Sequence, residues 1–339
     1  MVYKRRRLTL VAVVVVILLL VVVACAPKGS GGNPDSEKEA GVAQSSTQSA
    51  DSQVVKPLDN DNKTGLKMDV ICVDAQHILV GTYKQGIIGK CGGPNATVPI
   101  ASVTKTITAL VILDNKPVEK LINEDIVIDD AAMADLAHSE SERGTSLVVA
   151  LGEHINKATA ITGMMHQSAN NIADTLARQE FGSLENYKKR AQEFLVNHNL
   201  TGTVLGNDAS GLDDQTRSTV EDLFAIGKLV VDNEALSKVV AEPESEFPNA
   251  YYWDEGKTEI ISNATHVLVE DAGFNGVKVG YTDDAGSCLL FTKSIAGGDT
   301  IIGVTLGDHN VNNSLTRTDT AFPEAKKYGL ALEEMLKEK

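Results

Sequence analysis

The sequence predicts an α/β domain in which a sheet built from both ends of the folded region is interrupted by a helical insertion. Three observations lead there. Short strand-like apolar runs occupy 69–83 and return after about 258. Between them the apolar residues recur at helical three- and four-residue spacing. A polar stretch rich in Gly, Ser, Asp, Asn and Gln separates this region from an apolar N-terminus.

Taken in order, Lys4, Arg5, Arg6 and Arg7 precede an apolar run from Leu8 to Val23, followed by Ala24 and Cys25. A basic head, an apolar stretch of about 16 residues and a small residue before a cleavage point describe a signal peptide, and the stretch is short for a bilayer span. Val22-Val23-Ala24-Cys25 resembles a bacterial lipobox, which implies cleavage after residue 24 and lipidation of Cys25. A plain signal peptide or an uncleaved anchor helix are the alternatives, and each exports the chain. Residues 1–24 are therefore read as a lipoprotein signal, 25–65 as a disordered tether, and 66–339 as the catalytic-type domain. The protein is expected at the extracytoplasmic face of the cell membrane, held there through Cys25.

Asp69–Val73 and Ile78–Tyr83 are expected as strands joined by a polar turn. After Ala101, the spacing of Val103, Ile107, Leu110 and Val111 predicts a helix. The insertion, about 126–254, is read as mainly helical, with helices over Ile161–Phe181, Leu184–Asn197 and Thr219–Val231, the last opened by Ser218 and Asp222. Gly276–Tyr281, Ser287–Lys293 and Thr300–Leu306 form a predicted antiparallel meander, and Phe322–Leu336 a closing helix. Cys72 and Cys91 are either a disulfide or two buried thiols, since connectivity is not legible in spacing, and Cys288 falls in an apolar run.

The chain has 339 residues and a formal net charge of -15. Such acidity argues against a nucleic-acid partner, which needs Lys and Arg against phosphate. Neither CxxC nor HExxH occurs, so neither a dedicated metal site nor a cofactor is expected.

Three short motifs carry chemistry. Ser102-Val103-Thr104-Lys105 opens the first strong helix, placing a hydroxyl and an amine on one helical face. An amine kept neutral by desolvation can take the hydroxyl proton, and the helix start offers N–H groups to an oxyanion. Ser168-Ala169-Asn170 lies among apolar residues, where the plain alternative is a helix cap. Lys278-Val279-Gly280 sits on a predicted strand, where the lysine offers positive potential and the glycine close backbone approach; the plain alternative is an edge lysine that discourages aggregation. Lys63-Thr64-Gly65 also fits the last pattern but lies at the end of the tether.

The order of these motifs resembles the penicillin-recognising low-molecular-weight D-Ala-D-Ala carboxypeptidases. The likeness runs from about Met68 to Gly329 and takes in Gly144-Thr145-Ser146, Ala209-Ser210-Gly211-Leu212-Asp213, Tyr281-Thr282 and Leu306-Gly307 leading to Arg317. It implies a β-lactamase/DD-peptidase-like fold, with an antiparallel five-stranded sheet flanked by helices. It implies that Ser102 is the nucleophile, Lys105 its base and Ser168 a proton relay to the departing D-alanine. Asn170 would orient the substrate amide, and Lys278 would attract the terminal carboxylate. Backbone N–H groups of Ser102 and Tyr281 would form the oxyanion hole, beside Gly280. Implied partners are peptidoglycan stem peptides and β-lactams. Val279 replaces the family's usual Thr or Ser; on this reading a hydrogen bond to the substrate carboxylate is lost, at about 1.5–3 kcal/mol. Two other functions fit the fold. One is a non-catalytic cell-wall-binding lipoprotein, motivated by Val279. The other is a β-lactamase, for which Glu193 and Asn197, or Glu259 and Asn263, match an ExxxN spacing.

Overall fold

The computed structural model describes residues 60–73, 75–93, 95–270, 273–309 and 321–338. The signal segment, most of the tether, Cys25 and Arg317 lie outside these. No helix among the described residues is long and apolar enough to cross a membrane.

The chain begins with β1 (His77–Thr82), β2 (Gly86–Cys91) and β3 (Val98–Pro99), then a 3-10 turn over Ala101–Val103 that runs into α1 (Thr104–Asn115). Next come α2 (Val118–Leu121), β4 (Asp125–Val127), α3 (Asp130–Ser141), β5 (His154–Asn156), α4 (Lys157–His166), α5 (Asn170–Phe181) and α6 (Leu184–Asn197). β6 (Arg217–Ser218), α7 (Val220–Asp232), α8 (Glu234–Ala241), β7 (Glu244–Pro248), β8 (Thr258–Ser262) and α9 (His266–Val269) follow. β9 (Phe274–Thr282), β10 (Gly286–Ile295), β11 (Asp299–Asp308) and α10 (Phe322–Lys337) close the fold.

The main sheet has five antiparallel strands in the order β2-β1-β11-β10-β9. Its strands are apolar on both faces because both are covered. Helix α7 packs on β11 and β10 from one side, and α10 from the other. Val80, Val279, Leu289, Phe291, Phe322, Tyr328 and Leu332 form the cluster behind the sheet. A larger cluster joins Leu290, Ile302 and Val304 to α1, α5 and α7 in front of it.

Several sequence expectations shift. Residues 69–73 form no strand; they run beside β2, where a Cys72–Cys91 disulfide settles the open pairing. The strand that β1 pairs with locally is Gly86–Cys91, hidden in the sequence by two glycines and a lysine. Backbone bonds from Ile87 to Asn60 and from Lys63 to Gln85 fasten 60–63 to the hairpin, within the stretch whose composition reads as tether. The predicted helix 161–181 breaks into α4 and α5 at Ser168, which has φ of 58°. Helix α7 is capped by Thr219, whose hydroxyl accepts from the Asp222 N–H, while Ser218 lies in β6. Helix α6 matches its expected bounds, with Ser183 accepting from Asn186 N–H at its start.

Candidate active site

Ser102 is delivered by a constrained approach. Val98 and Pro99 pair with Ser218 and Arg217. Ala101 then adopts φ of 47°, unusual for a residue with a Cβ. The Thr104 hydroxyl holds the Ala101 carbonyl at 2.7 Å. The turn brings Ser102 to the head of α1, on the wall of a cleft of about 440 Å³ whose other walls include Arg143, Gly144, Asn170, Leu212, Asp214 and Tyr281.

Lys105 lies one turn further along and is fully buried. Its Nζ is 2.9 Å from Ser102 Oγ, 2.6 Å from Asn170 Oδ1 and 2.7 Å from the Ser210 carbonyl. Two of these partners are carbonyl oxygens, which only accept. They take two N–H groups and leave the remaining tetrahedral direction of the nitrogen facing Ser102. In the neutral amine that direction is the lone pair, positioned to receive the hydroxyl proton. Burial lowers the Lys105 pKa to about 7, against the opposing pull of Asp208 and Asp174. The amine is thus a usable base near neutrality.

The loop that presents the Ser210 carbonyl is itself tied down. Asp208 accepts from the N–H groups of Gly211, Leu212 and Asp213. Asp174 Oδ1 accepts from Ala209 N–H at 2.8 Å, and the Thr108 hydroxyl donates to the Ala209 carbonyl at 2.6 Å. Asp174, buried beneath the loop, is pushed up to about 7 by desolvation and then by Asp208. Neither aspartate is identified in the sequence reading. Signals for both are present: Asp174 is four residues after Asn170 on an otherwise apolar helix face, and Asp208 stands three before a glycine, an Asx-turn pattern.

Asn170 lines the cleft, yet both ends of its amide are engaged within the protein. Its oxygen holds Lys105, and its Nδ2 lies 3.3 Å from Ser139 Oγ. A Cβ on Gly144 would sit 2.3 Å from that nitrogen, so the glycine makes room for the amide. The resemblance implies that Asn170 orients the substrate amide; in the structure its oxygen holds the Lys105 amine. Ser168 stands two residues earlier, 8% exposed, in its left-handed conformation at the helix break. Asn170 N–H donates to the Thr145 carbonyl and fixes the α5 side of that break. No hydrogen bond joins Ser168 to Ser102, Lys105 or Lys278 in this structure.

On β9, Lys278 is fully buried and its Nζ donates to the Val279 carbonyl at 2.8 Å. Burial holds its pKa well below the usual lysine value, and the neighbouring Lys105 charge lowers it further. The two amines therefore share one electrostatic environment beneath the cleft. Tyr281 lines the cleft, with its phenol donating to Asp283 Oδ1. Gly280 has a different neighbour from the expected one. A Cβ there would meet the backbone N of Ser102 at 2.5 Å, so the turn that carries Ser102 lies directly against this glycine.

Val279 lies on the other face of β9 from Lys278. Alternate strand residues face opposite sides of a sheet, and Val279 pairs with Leu289 and packs with Phe291 and α10 side chains at 1% exposure. It packs behind the sheet and is not among the cleft residues, where the resemblance implies a side chain against the substrate carboxylate. The ExxxN pairs are not in the cleft either. Glu193 and Asn197 lie on α6, and Glu259 on β8, with none among the cleft residues.

Comparison with known proteins gives a consistent result. The family model described as D-alanyl-D-alanine carboxypeptidase matches residues 64–310. D-alanyl-D-alanine carboxypeptidase DacB2 of Mycobacterium tuberculosis is 25% identical over 234 residues, 69% of this chain and 75% of that protein. A D-alanyl-D-alanine endopeptidase of Pseudomonas aeruginosa is 26% identical over 227 residues, 64% of this chain and 66% of the relative. Among solved structures, a Streptomyces DD-transpeptidase superposes with a TM-score of 0.64 at 19% identity, covering 75% of this chain and 96% of the other. A D-alanyl-D-alanine carboxypeptidase from Mycobacterium tuberculosis gives 0.61 at 23% identity, covering 73% and 87%.

Proposed function

Since the chain belongs to the D-alanyl-D-alanine carboxypeptidase family of serine peptidases, we propose that it removes the terminal D-alanine of peptidoglycan stem peptides through an acyl-enzyme on Ser102. The observation that carries this reading is the buried Lys105 amine, held by two carbonyl oxygens with its third direction on Ser102 Oγ.

Ser102 Oγ attacks the carbonyl carbon of the penultimate D-alanine while its proton passes to Lys105 Nζ. Charge builds on the carbonyl oxygen, which the N–H groups of Ser102 and Tyr281 receive. The contact between Gly280 and the Ser102 turn supports that pairing, because it fixes the spacing of the two donors. The C–N bond breaks and D-alanine leaves with a proton relayed by Ser168. Water, deprotonated by the same amine, then cleaves the ester and frees Ser102. Lys278 lies beneath the cleft, and an arriving substrate carboxylate would favour its ammonium form, which burial disfavours in the free protein. Since β9 is a sheet edge, an extended stem peptide can lie along it by strand addition. A β-lactam presents the same amide in a strained ring and acylates Ser102 without a leaving group that departs.

The N-terminal residues complete the proposal: cleavage before Cys25, lipidation of its thiol, and a tether holding the domain at the extracytoplasmic membrane face. The Cys72–Cys91 bond favours an oxidising compartment. Release of D-alanine from diacyl-Lys-D-Ala-D-Ala by the purified protein tests the activity. Fluorescent penicillin tests the acyl-enzyme, with labelling expected for the native protein and lost in Ser102→Ala. A protein that neither releases D-alanine nor labels would leave the binding role. For the anchor, incorporation of labelled palmitate is expected and is lost in Cys25→Ala.

A further inference from the structure

The hairpin β7–β8 ends in an aromatic tip that the peptidase chemistry does not use. Tyr251, Tyr252 and Trp253 stand in sequence at the turn, 78%, 47% and 37% exposed. The tip has a fixed backbone. Asn249 N–H donates to the Lys257 carbonyl, Tyr252 N–H to the Asn249 carbonyl, and Glu255 N–H to the Tyr252 carbonyl. Lys257 Nζ sits 4.4 Å from the centre of the Tyr252 ring and pairs with Glu255. Three large apolar surfaces held in the open by an ordered turn mark a contact site.

The base of the hairpin is joined to the catalytic motif. Ala264 N–H donates to the His166 carbonyl at 2.7 Å, the Gln167 side chain donates to the Ser262 carbonyl at 2.9 Å, and Ser245 Oγ lies 2.9 Å from His166 Nδ1. These bonds hold the two residues that lead directly into Ser168. Five strand residues at roughly 3.3 Å each place the tip about 17 Å from that corner.

We propose that the Tyr251-Tyr252-Trp253 tip binds the glycan strand to which the stem peptides are attached. The proposal rests on the peptidase reading, because the substrate peptide is then covalently joined to a polysaccharide that must lie beside the cleft. Aromatic faces suit the C–H faces of pyranose rings, while the rims of Tyr and Trp keep polar groups for hydroxyls. The charge around the tip selects against the other extended surface in the same compartment. Glu244, Glu246, Asp254, Glu255 and Glu259 flank it with Lys257 as the hairpin's own cation, a pattern repelled by anionic lipid.

Trp253 is the one tryptophan of the chain, so intrinsic fluorescence reports this tip directly. Titration of the whole protein with peptide-free glycan strands is expected to give a saturable change in emission, and phosphatidylglycerol vesicles no change. The triple variant Tyr251→Ala, Tyr252→Ala, Trp253→Ala is expected to release D-alanine from diacyl-Lys-D-Ala-D-Ala at the native rate. Its kcat/KM on intact sacculi is expected to fall about tenfold. Emission that ignores glycan, a response to vesicles instead, or unchanged activity on sacculi would each overturn the proposal. Loss of activity on the soluble peptide in the native protein would fail the peptidase reading alone, since the glycan titration does not depend on turnover.

Discussion

Replacing Gly280 by alanine separates the packing of the site from its chemistry. The new Cβ would lie 2.5 Å from Ser102 N and 3.1 Å from both Ser102 Cα and Ala101 Cβ. Ordinary contact requires 3.5–4.0 Å, so relief of about 1 Å must come from the nucleophile's turn or from β9. Either movement displaces the proposed oxyanion donors, the N–H groups of Ser102 and Tyr281, relative to each other. A misplacement of that size costs on the order of 10²-fold in rate, close to the loss of one oxyanion donor at ~10²–10³. Overpacking itself should cost about 1–3 kcal/mol of stability, roughly 2–4 °C of Tm per kcal/mol for a domain of this size. The assay is the rate of acylation by a fluorescent penicillin, with thermal unfolding alongside. Gly93→Ala is the control, because its nearest neighbour is a methyl at an ordinary 3.6 Å. A Gly280→Ala protein that acylates at the native rate would refute the inference that this contact spaces the oxyanion donors.

Acylation is expected to rise with pH up to about 7 and then level, because the Lys105 amine must lose its proton to act and burial has lowered its pKa to that value; a flat profile across that interval counts against Lys105 as base. Asp174→Asn keeps an acceptor for Ala209 N–H but removes a carboxylate whose ionised form, itself titrating at about 7, supports the Lys105 ammonium. The same limb should therefore move to lower pH, and a move to higher pH contradicts the sign. Val279→Thr should leave acylation unchanged and lower Tm, since it buries a hydroxyl in the apolar cluster behind the sheet at about 1–3 kcal/mol; faster acylation would restore the hydroxyl account. Reduction of the Cys72–Cys91 bond, which joins cysteines separated by 19 in sequence, should remove about 3 kcal/mol of stability by the chain-entropy relation, read as a lower Tm in dithiothreitol.

The parts of the fold legible in the sequence are those dictated by local pattern. Helix α6 is bounded by a serine cap and has a clear apolar face, and β9–β11 alternate between turn-like segments. The pairing of Ser102 with Lys105 follows from helical geometry alone. What stayed hidden depends on distant neighbours. The break at Ser168 has neither glycine nor proline to announce it; a left-handed serine persists because the surrounding contacts impose it. The engagement of Asn170 with Lys105 joins residues far apart in the chain and leaves no periodic trace. Val279 is a different case. The period of two already puts it opposite Lys278, so the two side chains of that motif could not both face the cleft.

The strand order also bears on how the protein is made. β1 is among the first strands to be synthesised, but its central neighbour β11 emerges only when almost the whole domain has been translated. Until then the first hairpin lacks the partner at its inner edge, an unpaired edge that invites association with other chains. Pairings of such long sequence separation form slowly. A nascent or truncated chain ending before Asp299 is consequently missing the middle of its sheet rather than a dispensable tail, and a holding chaperone has a defined period in which to act.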